Sequence, residues 1–354
     1  MNGTSDGSDC SRPTIAPAPQ AERIHTLPIV ILELHSRCNC RCGMCDIWRA
    51  KGTEEIAADA VARWVPEWRR LRVQRVVLSG GEPLLHSDLW RLCEFLRQAD
   101  LPVTVLTTGL LLKRDAEQVA RYCGDVIVSL DGPRHVHDRI RNVPGAYDKL
   151  AEGLSAVRSA GLRARISGRC TVQRLNFLDL RGTVAAAHEL GLERISFLAA
   201  DVSSEAFNRP GGWIPSRADS IALDESGLPR LDEELSALQR DCAADFASGY
   251  IAETPEKLRR RLAEYFGALL GRNAWPPNRC NAPWVSTVIA TDGTVRPCFF
   301  QPPLGNIFRA GGLEAVLNSP TAVSWRRALD IRRNEICRKC VCTLCWQEGT
   351  HAQS

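Results

Sequence analysis

Cys38-Asn39-Cys40-Arg41-Cys42-Gly43-Met44-Cys45 is the stretch on which the reading of this chain turns. Cys38, Cys42 and Cys45 stand in a CxxxCxxC spacing directly after the apolar run 28–34. A loop leaving a strand with that spacing can wrap three thiolates around one face of an iron–sulfur cube, which four cysteines normally complete. Three leave one iron open, and an open iron is where a substrate or cofactor binds.

Beyond the loop, strand and helix patterns alternate. Short runs rich in Val, Ile and Leu at 29–34, 73–79, 103–107, 126–130, 165–172 and 194–198 read as strands. Helical patterns at 54–71, 87–98, 114–122, 147–160 and 177–190 lie between them. In the fourth, Tyr147, Leu150, Leu154 and Val157 share one face. Pro66 is expected to kink or shorten the first.

Repeated strand–helix units imply parallel strands joined by right-handed crossovers, hence an open sheet or a barrel. In either fold, functional residues gather at the C-terminal strand ends. The cysteine loop, Gly80-Gly81-Glu82-Pro83, Thr107-Thr108-Gly109 and Ser129-Leu130-Asp131-Gly132 all fall there and are expected to build one site.

After residue 198 the alternation stops. Residues 199–221 are irregular, with Pro210-Gly211-Gly212 and Pro215. Two amphipathic helices are expected next. Leu231, Leu235 and Leu238 mark one; Thr254 as N-cap and Pro255 at the first position open the other, which continues through Leu258, Leu262, Tyr265 and Leu269. Residues 273–277 read as a linker, and the runs 285–290 and 294–299 around Thr291-Asp292-Gly293 as a hairpin.

The 354 residues carry 15 cysteines, 44% hydrophobic and 24% charged residues, and a net charge of +4, which is ordinary for a soluble domain plus a smaller unit. The mild basic balance does not point to nucleic acid, and Arg259-Arg260-Arg261 reads as a solvated helix face. No run reaches the roughly 18–20 apolar residues of a membrane span, and Asp6 and Asp9 stand where a signal peptide would be basic and then apolar. A cytoplasmic protein is expected. In that reducing setting tight cysteine clusters point to metal rather than disulfides. Cys280, Cys298, Cys337, Cys340, Cys342 and Cys345 make a second group, whereas Cys93, Cys123, Cys170 and Cys242 sit on apolar segments as small core residues. Residues 1 to about 24 are expected to be disordered.

The order of these motifs resembles the radical S-adenosylmethionine (SAM) superfamily over most of the chain. The cysteine triad follows the first strand, Gly80-Gly81-Glu82-Pro83 the second, and Ser129-Leu130-Asp131-Gly132-Pro133 the fourth. The resemblance implies an α/β fold, a partial (β/α)6 TIM-type barrel, with Cys38, Cys42 and Cys45 holding a 4Fe–4S cluster whose fourth iron takes the methionyl amine and carboxylate of SAM. It implies reductive cleavage of SAM to a 5′-deoxyadenosyl radical that abstracts a substrate hydrogen. Gly80 and Gly81 would let backbone approach the amine, with Glu82 and Pro83 turning or anchoring the edge. Ser129 and Asp131 would contact SAM's ribose or carboxylate, and Thr107 would line the site. Thr107-Thr108-Gly109 departs from the more usual Thr-Asn-Gly, and Met44 replaces the commoner aromatic; Cys40 reads as a spectator.

The tail resembles a SPASM or twitch domain, a small β-hairpin and cysteine-rich module. That likeness implies one auxiliary 4Fe–4S cluster on Cys280, Cys298, Cys337 and Cys340, with Cys342 and Cys345 as substitute ligands, members of a second incomplete cluster or spare thiols, and with a structural zinc knot as the alternative for the whole tail. The expected domains are a disordered arm at 1–26, the barrel at 27–200, a connector at 201–275 and the auxiliary domain at 276–350. The expected reaction is a net oxidation or rearrangement of a small molecule of sugar or aminocyclitol type. The alternatives are a peptide or protein maturase and, remotely, a non-enzymatic iron–sulfur or zinc protein. An electron donor such as flavodoxin or ferredoxin is implied. Within 199–252, Asp201, Arg209 and Trp213 are candidates to cover the substrate, and Asp201 is the best single acid or base.

Overall fold

The computed structural model describes residues 22–347. Six parallel strands form its centre: β1 (Ile29–His35), β2 (Arg75–Gly80), β3 (Val103–Thr107), β4 (Asp125–Ser129), β5 (Arg165–Val172) and β6 (Arg194–Ala199). Between them run α1 (Ala58–Arg70), α2 (Leu89–Gln98), α3 (Ala116–Tyr122), α4 (Arg134–Arg141), α5 (Ala146–Ser159) and α6 (Leu180–Glu189). The parallel order is what the alternation predicts, and the partial barrel is what the resemblance implies. Along β1, Val30, Leu32 and Leu34 are fully buried, while Ile31 and Glu33 stay half-exposed. The same alternation in β4, β5 and β6 leaves one face of the sheet open and buries the other in the core.

α1 runs unbroken through Pro66. The proline sits on the exposed face, and Trp64 and Trp68 are buried on the other side. α4 lies outside the helices read from the pattern. It buries Val136 and Ile140 together with His137 and Arg141, two polar residues on a core-facing stripe.

The predicted hairpin forms as β7 (Ser286–Ile289) and β8 (Thr294–Arg296), with Gly293 at φ +80° in the turn. It is not a separate small sheet. β7 pairs in parallel with β1, so one nine-stranded sheet runs in the order β6-β5-β4-β3-β2-β1-β7-β8-β9, β9 being Gly305–Asn306. At the opposite edge, Ile195 bonds to Tyr250 O and Ala252 N, which blunts β6.

Of the expected arm at 1–26, residues 1–21 lie outside the described residues. The remainder is tied down: Ile24 is buried and exchanges two 2.8 Å hydrogen bonds with Asn318, and Arg326 donates to Glu22 O at 2.8 Å. α7 (Pro215–Ile221) and α8 (Gly227–Asp241) follow the barrel. Thr254 caps the next helix by accepting from Lys257 N. Arg259 and Arg261 pair with Asp232 and Glu253 of the same chain. Among the described residues no helix is long and apolar enough to cross a membrane.

Candidate functional site

β1 ends in a register shift between Glu33 and His35, a bulge that re-aims the chain into the cysteine loop. The end of β2 packs directly against that loop. Gly81 N donates to His35 O and Glu82 N to Arg37 O, each at 2.8 Å. A Cβ on Gly81 would lie 1.9 Å from Arg37 O, and Gly80 at φ +114° has His35 O 2.8 Å from where its Cβ would be. The two glycines therefore let backbone meet backbone, and their N–H groups are largely spent within the protein. Gly81→Ala should push the cysteine loop off β2, so iron uptake on anaerobic reconstitution should fall well below wild type; a variant that fills normally would contradict this packing.

Glu82 is fully buried and anchors the strand end. Its Oε1 accepts from Thr107 Oγ1 at 2.8 Å and Leu84 N at 3.1 Å, and its Oε2 from Thr108 N at 2.7 Å. The Thr108 hydroxyl lies 2.7 Å from Oε2 and 2.9 Å from Asn39 Oδ1, bridging to the cysteine loop. Burial pushes the Glu82 carboxyl up, and the Thr108 bonds oppose it. The Glu82 and Thr107 side chains thus brace β2 against β3, and Pro83 opens the buried turn Pro83–Leu85.

Asp131 also turns inward. It is fully buried, paired with Arg141, and its Oδ1 accepts from Thr171 N at 2.9 Å. Its N–H donates to His137 Nδ1 at 3.2 Å, and burial holds His137 neutral, down to about 3. The Asp131 carboxylate, read as a cofactor contact, is in this structure directed at Arg141 and Thr171 N. Ser129, half-exposed at the end of β4, is the member of that motif left facing the open side. Arg141, which pattern reading missed, places Nη1 3.7 Å from Cys42 Sγ, and its carbonyl accepts from Arg41 N at 3.1 Å.

The three thiols of the triad lie in one another's field. Cys40, read as a spectator, is buried, and the neighbouring Cys38 and Cys42 thiols together with burial push its own thiol far above the usual range. Cys40 in turn lowers Cys38 and brings Cys42 down to about 7, with the Arg141 charge assisting. Burial pushes Cys45 up to about 12. Met44 is buried, and its sulfur accepts from Gln173 Nε2 at 3.4 Å.

The segment after β6 covers the loop from outside. Arg217 donates to Gly43 O at 2.6 Å, Trp213 to Asp46 Oδ2 at 2.6 Å, and Asn208 to Asp46 O at 3.0 Å. Arg209 is 3% exposed, with its guanidinium 4.1 Å from the Trp213 ring and 5.2 Å from that of Phe207. Phe207 in turn packs on Phe299 and Phe300 beside Cys298, linking barrel and tail. Asp201 accepts from Arg209 at 3.1 Å and from Ser203 and Ser204. Both oxygens of the Asp201 carboxylate, the candidate acid or base, are thus engaged within the segment after β6.

In the tail, Cys280, Cys298, Cys337 and Cys340 converge. Burial is the main cause that pushes Cys298 up to about 12 and Cys337 up to about 11, and each feels the charge of Cys280. Cys340, also pushed up by burial, feels Cys298, Cys280 and Cys342. Polar side chains without periodicity do the stitching. Asn278 donates to Cys337 O at 2.7 Å and Cys340 O at 3.2 Å, Asn281 to Trp346 O at 2.7 Å, and Gln301 to Cys337 Sγ at 3.1 Å.

Both donor sets suit iron–sulfur clusters. Each is soft sulfur from short loops, and Asn39 Nδ2 beside the first is buried with no protein partner. Among the described residues no group of three His, Cys, Asp or Glu side chains is arranged to hold a metal ion.

Two family models match. The radical SAM superfamily covers residues 32–187, and the SPASM iron–sulfur cluster-binding domain residues 280–341, which include all four converging tail cysteines. AdoMet-dependent heme synthase of Methanosarcina barkeri is 29% identical over 46% of this chain and 48% of its own. The PqqA peptide cyclase of Ruegeria pomeroyi is 26% identical over 77% of this chain and 67% of its own. Streptococcus suis SuiB, solved with its precursor peptide SuiA, shares the fold at a TM-score of 0.60 and 16% identity, over 90% of this chain and 71% of that one. The chain spans about half the length of the first curated relatives it matches.

Proposed function

Because the chain joins a radical SAM domain to a C-terminal SPASM domain, we propose that it is an enzyme that modifies a peptide by hydrogen abstraction. One observation carries the choice of substrate. Similarity to a protein named for a peptide covers 77% of the chain for the PqqA cyclase, while the heme synthase match covers 46%. The sugar or aminocyclitol expectation gives way to its alternative, the peptide maturase.

In this reading Cys38, Cys42 and Cys45 hold the 4Fe–4S cluster that binds SAM, and Cys280, Cys298, Cys337 and Cys340 hold an auxiliary 4Fe–4S cluster. When bound, the first cluster and SAM supply a 5′-deoxyadenosyl radical that takes a hydrogen atom from the substrate. The residues of the chain position and shield. The Gly80 and Gly81 carbonyls accept from the methionyl amine, since an amine needs acceptors and their N–H groups are engaged. Ser129 reaches the ribose or carboxylate. Trp213, Arg209 and Phe207 close the cysteine loop off from water, and the half-exposed face of β4–β6 receives the peptide. A flavodoxin or ferredoxin is the proposed electron source.

The test uses short peptides encoded beside the gene, made with deuterated amino acids and incubated with the reduced holoprotein and SAM. Deuterium in 5′-deoxyadenosine and a mass change in the peptide are expected. Label transfer from deuterated aminocyclitols but from none of the peptides would reverse the assignment.

A further inference from the structure

Two buried guanidiniums flank the cysteine loop, each pinned by a buried carboxylate. On one side Arg141, 8% exposed and paired with fully buried Asp131, directs Nη1 at Cys42 Sγ across 3.7 Å. On the other, Arg209 is held by Asp201, and its Nη2 lies 3.5 Å from the carbonyl of Met44, the residue before Cys45. Neither arginine faces solvent, so salt does not screen them as it would surface charges. Both are fixed by partners other than the thiols: Asp131 by Thr171 N, Asp201 by Ser203 and Ser204.

A cluster that gains an electron gains a negative charge, and its potential follows the net charge around it and the hydrogen bonds to its sulfurs. We propose that Arg141, seconded by Arg209, sets the reduction potential of the cluster held by Cys38, Cys42 and Cys45, making it easier to reduce. This rests on that cysteine loop holding the cluster. The partner carboxylates oppose the effect but do not cancel it, because Arg141 Nη1 meets the Cys42 sulfur directly while Asp131 pairs with the other nitrogen, Nη2. Arg141 touches the sulfur and Arg209 only a neighbouring carbonyl, so Arg141 carries the larger share. Both are positioning residues that act through the cluster.

The experiment is a potentiometric EPR titration of the anaerobic holoprotein, following the reduced-cluster signal that changes when SAM is added. It compares wild type with Arg141→Met, Arg141→Lys and Arg209→Met. At a fixed potential the reduced-to-oxidised ratio should fall about tenfold in Arg141→Met, equivalent to about 59 mV for a one-electron couple. Arg141→Lys and Arg209→Met should fall less. Midpoints are read on the cluster that assembles, so a merely structural role lowers occupancy and leaves the midpoint alone. Should Arg141→Met fail to fold, Asp131→Asn/Arg141→Met removes both charges together and should show the same direction. A ratio equal to wild type in whichever of these folds would overturn the proposal. A wild-type protein with no SAM-responsive signal would overturn the reading of the cysteine loop itself, and this inference with it.

Discussion

Replacing Cys38, Cys42 and Cys45 together with alanine should remove one of two clusters, taking reconstituted iron from about eight to about four atoms per chain. It should also abolish release of 5′-deoxyadenosine from SAM. The loss is total rather than partial because three thiolates from one loop supply every protein ligand on that side. Their removal leaves the β1 bulge and the Gly81–His35 bond in place, so the fold persists. The converse change, Cys298→Ala with Cys340→Ala, should leave the other four irons and SAM cleavage intact. A wild-type protein that fills to only four irons would remove the auxiliary cluster from the account.

The largest stability effect is expected at Asp131. Its carboxylate has no solvent exposure and balances a guanidinium whose side chain is only 9% exposed. Asp131→Ala leaves that cation buried and uncompensated, a loss of about 3–5 kcal/mol. It also frees Thr171 N, and Arg141 is left beside the thiols Cys42, Cys40 and Cys38 of the loop. Urea unfolding of the metal-free chain is the measurement. A loss below about 1 kcal/mol, the scale of an exposed pair, would show that the pair is not buried in solution.

Much of this fold was legible because it is periodic. β1–β6 lie within a few residues of the runs rich in Val, Ile and Leu, and the glycine and polar motifs do cluster at their C-terminal ends. The pairing of β7 with β1 was not legible, since it joins residues more than 250 positions apart and no local pattern specifies a non-local partner. α4 was missed for a different reason. Its buried stripe contains His137 and Arg141, which a search for apolar spacing passes over, and the contact to Cys42 was missed with it.

Within the site, residue type was legible and residue role was not. Glu82, Thr107 and Asp131 stand at the rim as expected, yet their side-chain oxygens are spent on the protein. Arg209 and Trp213, read as cover for a substrate, reach the cysteine loop and its flank, which spacing did not show. Whether a carboxylate faces a cofactor or a neighbouring strand depends on side-chain direction, which spacing alone does not fix.

The central claim is that Cys38–Cys45 supports reductive cleavage of SAM. The direct measurement is 5′-deoxyadenosine formed by the anaerobically reconstituted protein, with its cluster shown by EPR to be reduced, in the presence of SAM. The account predicts nucleoside release in wild type and none in the Cys38/Cys42/Cys45→Ala variant. A fully reduced, SAM-responsive cluster that yields no 5′-deoxyadenosine, with or without peptide, would contradict it.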